Sequence, residues 1–425
     1  MTELYQGATV VDPQNNIDSV VDIRVADGVV SEVGTDLDPK GATVINLKDK
    51  HIIPGVVDMH VHFREPGTRG ETIASGAAAA LRGGVTTVAA MPNTEPAIDS
   101  LISLSNVQEL AKKAGKCKVE FIAAMSVGRQ GEKVTEIQLL SDAGAVAFSD
   151  DGSPVMNPEI MRMAMLAAAQ VGKPVIQHCE DCHLSAGGVM NEGKVSALKG
   201  LKGQSHMSES VMVGRDLILA KETGAHYHVA HLSCRSSLAQ MKWAEDHAIK
   251  VTAEVTPHHF ILADEDIPGY NTNYKMNPPL RTSEDVKAML QALKESKITV
   301  IASDHAPHPQ DKKSLEFENA PFGIMGIETM LPLSIKYLVS NGHMPLSQVI
   351  ACLTCNPAEI LGLKDVGHLG KGSAADFVVL DMNKKSTYDV TKTPSQSQNT
   401  PFQGEEFPAT IQATYVNGKK LYENN

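Results

Sequence analysis

The sequence predicts an α/β fold: a (β/α)8 TIM barrel with a small β domain formed by the N- and C-terminal segments. Three observations predict it. From about residue 53, short apolar runs alternate with amphipathic stretches, the pattern of parallel strands joined by crossover helices. Eight such units fit within 425 residues, a length suited to a large barrel with an appendage. Both chain ends read instead as short strands separated by turns.

Residues 1–54 form the N-terminal part of the β domain. Its strands are Ala8-Thr9-Val10-Val11, residues 20–25 and Val29-Val30, parted by the turn signals Asp12-Pro13, Asp27-Gly28 and Lys40-Gly41. Residues 55–364 form the barrel. Its strands are expected at 56–63, 85–91, 119–125, 145–149, 174–178, 226–232, 250–255 and 299–303. Helical periodicity marks 159–171, 209–223, 236–247 and 283–294, and then 327–338 and 346–352. Methionines 156, 161, 163 and 165 read as helix packing. Residues 365–425 complete the β domain, with Phe377-Val378-Val379-Leu380 and Ala413-Thr414-Tyr415-Val416 ahead of the Asn417-Gly418 turn. Between these strands, 381–407 is polar and rich in Pro, Thr, Ser and Gln, an irregular excursion.

A net charge of −12 argues against nucleic acid and against anionic membrane surfaces as partners. No apolar run approaches a membrane span, and the first twenty residues lack the apolar core of a signal peptide. Six cysteines in so long a chain do not make a disulfide framework, and Cys179/Cys182 and Cys352/Cys355 read as chance spacings. The expected setting is cytoplasmic and the expected ligand a small molecule.

Barrel active sites sit at the C-terminal ends of the strands. Strand 1 runs into Val56-Val57-Asp58-Met59-His60-Val61-His62-Phe63-Arg64, where the period of two places His60, His62 and Arg64 on one face. Strand 5 ends in His178, strand 6 in His231 and strand 8 in Asp304. Strand 4 ends in Asp150-Asp151, which compete because neighbours on a strand face opposite sides. Four histidines and two carboxylates at one end of a barrel exceed the protein ligands of one zinc and suit two, with one carboxylate bridging. His228, three before His231, is expected to face away, and His258 and His259 to lie in the loop after strand 7.

The runs Val57-Asp58-Met59-His60-Val61-His62-Phe63-Arg64-Glu65-Pro66-Gly67, Met91-Pro92-Asn93-Thr94, Asp304-His305-Ala306-Pro307-His308 and Thr354-Cys355-Asn356-Pro357-Ala358 together resemble the type I dihydroorotases of the metal-dependent amidohydrolase superfamily. The resemblance spans nearly the whole chain, including Gly372-Ser373-Ala374-Ala375-Asp376-Phe377-Val378-Val379-Leu380. It implies reversible zinc-dependent cyclisation of N-carbamoyl-L-aspartate to (S)-dihydroorotate, in de novo pyrimidine synthesis. It implies two Zn2+ per subunit: His60, His62 and Asp304 for the first, His178 and His231 for the second, and Asp151 as the bridge. An aspartate bridge is short, which would weaken the hold on the second ion. Asp304 is implied as catalytic general base and then acid, with a metal-activated water as nucleophile. His62, Arg64, Asn93, Asn277, His308, Phe322 and Gly323 are implied as substrate contacts. A homodimer and a transcarbamoylase partner are both compatible with the resemblance.

Two other readings compete. An allantoinase- or hydantoinase-like enzyme would share the fold, but its substrates lack the carboxylate that Arg64 and Asn93 suit. A catalytically silent scaffold for a transcarbamoylase need not keep metal ligands, whereas every ligand position here is filled. Many superfamily members bridge their metals through a carboxylated lysine. Strand 4 carries none, and the nearest, Lys133 and Lys173, are expected in helical stretches away from the strand end.

Overall fold

The computed structural model describes residues 2–424. Its barrel strands 1 to 8 are Val56–Val61, Val85–Ala90, Lys118–Ala123, Ala147–Phe148, Val175–Gln177, Tyr227–Val229, Val251–Val255 and Val300–Ile301. Each pairs in parallel with the next in sequence. The ring closes at strands 8 and 1. There Val61 bridges His305, the His62 N–H donates to the His305 carbonyl (2.9 Å), and the Ser303 N–H donates to Asp58 Oδ1 (3.1 Å). All eight predicted strands are present, several shorter than expected. Strand 4 keeps only two residues in the ladder, and Ser149 to Asp151 continue into the barrel mouth.

The four mid-chain helices fall at Pro158–Gln170, Met207–Thr223, Arg235–Asp246 and Ser283–Lys294. Their starts follow from capping. Asn157 accepts the Glu159 N–H ahead of Pro158, and Thr282 accepts the Asp285 N–H. Two earlier crossover helices, Ile73–Arg82 and Leu101–Ala114, start at the reciprocal caps Thr72/Ser75 and Ser100/Ser103. The stretch expected at 327–338 is an α-helix over Met330–Ser334 that widens into a π-turn over Ile335–Ser340. His258 and His259 lie after strand 7 as expected, but in a short helix, Pro257–Ile261, and both are buried. Proline at the first helical position is the signal for that helix. Lys133 and Lys173 lie in irregular segments, not helices.

The main core fills the layer between strands and helices, with Val88, Phe121, Phe148, Tyr227, Val255 and Ile301 from the strands. Met161 and Met165 are buried in it, while Met163 is exposed. Inside the ring, Met59, Ala89, Ile122, Ala147, Ile176, Ala230, Val300 and Ala302 form a dry floor under the polar mouth.

Strands from both chain ends share one six-stranded sheet. Phe377–Asp381 lies between His51–Pro54 and Thr410–Val416, with Thr9–Asp12 and Ile17–Val20 beyond one neighbour and Lys419–Glu423 beyond the other. A four-stranded sheet of Thr2–Gln6, Asp22–Ala26, Val29–Gly34 and Thr43–Asn46 accompanies it. Tyr5, Phe377 and Tyr415 join the two. Phe377 stacks on Tyr415 at 4.3 Å, and Tyr5 meets Phe377 edge-on at 4.9 Å. The excursion between Asp381 and Phe407 is irregular apart from a short ladder of Ser386–Thr387 with Glu406–Phe407 and a 3-10 turn at Val390–Lys392. Among the described residues no helix is long and apolar enough to cross a membrane. All six cysteines are free.

The seam at strands 8 and 1 carries the mouth, and Asp58 is its buried polar link. It also accepts the His60 N–H (3.3 Å). Asp58→Ala leaves two buried N–H groups without that acceptor and is expected to cost about 1–3 kcal/mol. The check is a lowered Tm, with Asp58→Asn, which keeps one acceptor oxygen, falling between the two.

Candidate metal centre and substrate pocket

The ends of strands 1, 4, 5, 6 and 8 bring His60, His62, Asp151, His178, His231 and Asp304 into one buried cluster. Asp151 lies at its middle. Its Oδ1 is 3.4 Å from His60 Nε2, 3.7 Å from His231 Nε2 and 3.9 Å from His178 Nδ1, and its Oδ2 is 3.5 Å from His62 Nε2. Asp304 Oδ1 stands 3.1 Å from His62 Nε2 and 3.6 Å from His60 Nε2. Two triads follow, His60–His62–Asp151 and Asp151–His178–His231, with Asp151 common to both and Asp304 beside the first. Asp150 turns away, accepting the backbone N–H and hydroxyl of Ser126.

The outer nitrogens decide what the inner ones can do. His60 Nδ1–H donates to Glu254 Oε1 (2.5 Å) and His62 Nδ1–H to Asn93 Oδ1 (2.8 Å). His178 Nε2–H donates to Glu180 Oε2 (2.9 Å). With those protons placed outward, the inner nitrogens of His60 and His62 present lone pairs toward the Asp151 carboxylate, while His178 Nδ1 lies 2.9 Å from His231 Nε2 and shares a proton with it. Burial opposes charge on Asp151 and Asp304, but positive charge on the facing imidazoles outweighs it and holds both well below the usual carboxylate range; a divalent cation in place of the imidazole proton exerts the same pull. His60 Nε2 and Asp151 Oδ1 are buried with no hydrogen-bond partner among the described residues. Lone pairs facing carboxylate oxygens at these distances leave a gap that a cation fits. The nitrogen and oxygen donor set suits a transition divalent ion such as zinc.

Glu254 was not anticipated. It is a lone carboxylate on the otherwise uncharged strand 7. It holds His60 through Oε1 and His228 Nε2 through Oε2 (3.3 Å), and the His231 N–H donates to it (3.2 Å). His228 thus lies outside both triads, with Nδ1 on Thr252 Oγ1 (2.8 Å). Glu180 and Arg129 were also missed. Glu180, held down to about 2 against burial by the His178 hydrogen bond, sets that ring. Arg129 donates to the Asp151 carbonyl (2.8 Å). An acidic residue inside a buried strand was the one available signal for Glu254.

Beside the first triad stands Arg64. Its Nε donates to the Pro307 carbonyl (3.3 Å), and its Nη2 is 3.4 Å from His308 Nε2. No carboxylate lies within ion-pairing distance of it among the described residues, and burial draws its pKa down to about 10, still cationic at neutral pH. His308 Nε2–H donates to the Phe322 carbonyl (2.7 Å). Burial, with Arg64 and Lys313 nearby, pushes His308 down to about 3, so its ring is neutral. Asn277 borders the second triad, donating to Glu180 (2.7 Å) and accepting from Gln204 (3.2 Å). Gly323 adjoins the pocket, but its N–H is committed to the Lys275 carbonyl (3.0 Å). Arg64, His231 and Asp304 all take left-handed backbone, with φ of +28°, +31° and +46°. Each such residue costs on the order of 1 kcal/mol, and three converge on one site.

The amidohydrolase family profile matches residues 51–421. A dihydroorotase of Geobacter metallireducens is 44% identical over the whole of both chains. That of Acetivibrio thermocellus is 42% identical over 98% of this chain and 97% of its own. Among solved structures, the L-hydantoinase (dihydropyrimidinase) of Arthrobacter aurescens superposes with a TM-score of 0.89 at 25% identity, covering all of this chain and 96% of its own. A dihydropyrimidinase of Brevibacillus agri, at 21% identity, shares the fold with a TM-score of 0.87.

Both triads are complete without a lysine, and Lys173 lines a cavity with His226 and Lys250 at the opposite ends of the strands. Asp151→Ala is therefore expected to lower the divalent metal bound per chain, and turnover with it. Elemental analysis of the purified variant checks this. Wild-type activity should not respond to added bicarbonate.

Proposed function

This chain belongs to the amidohydrolase family and, within it, to the dihydroorotases, and on that premise we propose how its buried cluster interconverts (S)-dihydroorotate and N-carbamoyl-L-aspartate. The observation that carries the substrate reading is the Arg64 guanidinium, desolvated, cationic and without an ionic partner. A planar carboxylate is its natural complement. The hydantoinase-type rings lack that group.

His60, His62 and Asp304 would hold one zinc, His178 and His231 a second, and Asp151 would join them. Ions bound there supply Lewis acidity, which polarises a carbonyl and lowers the pKa of water. The chain's own residues do the rest. Arg64, with Asn93 and His308 beside it, fixes the ring carboxylate and so orients the scissile amide against the cluster. Asn93 spends its carbonyl on His62, which leaves its amide N–H groups for the substrate. Asp304 enters the cycle ionised. In ring opening it takes a proton from the attacking water and delivers it to the departing ring nitrogen; ring closure runs the same transfers in reverse. Glu254 keeps His60 in the tautomer that leaves its inner nitrogen free, and Glu180 sets the His178 ring. The dry floor beneath the site confines water to the mouth.

The test is turnover of dihydroorotate and N-carbamoyl-L-aspartate, alongside hydantoin and allantoin. The proposal expects activity on the first pair in both directions. Efficient turnover of hydantoin with none of dihydroorotate would contradict it. Asp304→Asn should abolish turnover while leaving the fold intact; a rate within about tenfold of wild type removes Asp304 from proton transfer. Arg64→Met should raise KM for dihydroorotate strongly, a loss of about 2–3 kcal/mol, with little change in bound zinc. Because His308 stays neutral from pH 5 upward, no positive charge leaves the pocket as pH rises to 8. KM should therefore show no inflection at pH 6–7, and one that His308→Asn removes would count against this arrangement.

A further inference from the structure

The excursion between Asp381 and Phe407 takes no part in the chemistry above, yet it reaches the pocket. Ser397 Oγ donates to the Gly70 carbonyl (2.6 Å), and the Gln396 N–H to Glu71 Oε1 (3.3 Å), in the loop that follows Arg64. Asn399 is 1% exposed and uses its amide fully. Its Oδ1 accepts the His308 N–H (3.0 Å), and its Nδ2 donates to the carbonyls of Ala306 (3.1 Å) and Gly323 (3.0 Å). Its own carbonyl accepts the Met325 N–H (2.8 Å).

We infer that Asn399 is a positioning residue for the substrate carboxylate, acting through His308, Ala306 and Gly323. The inference rests on the reading of Arg64 and His308 as the carboxylate pocket. His308 is held at two points. Its backbone hangs on Asn399, and its ring on the Phe322 carbonyl, whose neighbour Gly323 hangs on Asn399 again. The two loops approach so closely at Gly323 (φ +127°) that a Cβ there would lie 2.6 Å from the Ala306 Cβ. Only a primary amide offers one acceptor and two donors in a plane at this spacing. An aspartate would turn lone pairs on two carbonyls, and an apolar side chain would leave the His308 N–H and the Ala306 carbonyl bare. The Gly323 carbonyl has a second donor, Lys313 Nζ (3.0 Å), so its loop is held twice. For the His308 N–H, Asn399 Oδ1 is the acceptor found. Loss of Asn399 is therefore felt first at His308, on the carboxylate side of the pocket.

The experiment uses the zinc-loaded full chain and two planar probes that differ by one carboxylate, orotate and uracil. Inhibition constants are measured for wild type, Asn399→Ala and Asn399→Ser, with melting temperature and zinc content. Wild type should prefer orotate. In Asn399→Ala the uracil-to-orotate ratio should fall about tenfold, with uracil binding and zinc content held, and Asn399→Ser should lie between. A merely structural asparagine lowers the melting temperature and leaves the ratio alone, and an unchanged ratio in either variant overturns the inference. If Asn399→Ala fails to fold, Asn399→Ser alone is read in the same way. A wild type that does not prefer orotate overturns the pocket reading instead, so the two failures are told apart.

Discussion

Asp151 sits where four imidazoles from three strands converge, and the mouth of the barrel is arranged around that convergence. Three of those rings give their outer N–H groups to Glu254, Asn93 and Glu180. The inner nitrogen of His60 and Asp151 Oδ1 then face each other without a hydrogen-bond partner among the described residues. Such an arrangement is repulsive in lone pairs and attractive to cations. The cost of gathering it is carried by the fold. A sealed seam between strands 8 and 1 and a dry core beneath the mouth hold the groups in place. Left-handed backbone at Arg64, His231 and Asp304 marks where that scaffold imposes geometry on the site.

Fold and substrate choice are separate matters in this chain. The barrel is shared with hydantoinases at low identity, and fold alone does not choose a substrate. On the proposed reading the choice rests on the rim, where Arg64 lies beside a neutral histidine and has no anion of its own. That rim is assembled from segments far apart in the chain: the end of strand 1, the loop after strand 8, the Phe322-Gly323 turn and the C-terminal excursion. An enzyme of this family can thus keep its metal chemistry on rigid strands and set its specificity on loops.

Much of this was readable in the sequence, and for a physical reason. Parallel strands buried on both faces give near-continuous apolar runs, so all eight barrel strands could be found. Polar residues at strand ends keep their register, which grouped His60, His62, His178, His231 and Asp304 as candidate ligands. What escaped notice depends on partners distant in sequence. Glu254 matters because barrel closure sets strand 7 next but one to strand 1, within reach of His60. Asn399 matters because an irregular segment folds back 91 residues onto His308. Lys419–Glu423 is an exposed, charged edge strand with no apolar period to betray it. Asn93 shows a subtler limit, since the motif places it with the substrate but cannot show that its carbonyl is already given to His62.

The central claim is that a single unmodified aspartate serves both cation sites. Anomalous X-ray diffraction from zinc-loaded crystals, above and below the zinc edge, tests it most directly. The account predicts two anomalous peaks, one on each side of the Asp151 carboxylate, with density for unmodified Lys133 and Lys173 remote from both. A single peak confined to His60, His62 and Asp304, or lysine-linked density between two peaks, would contradict it.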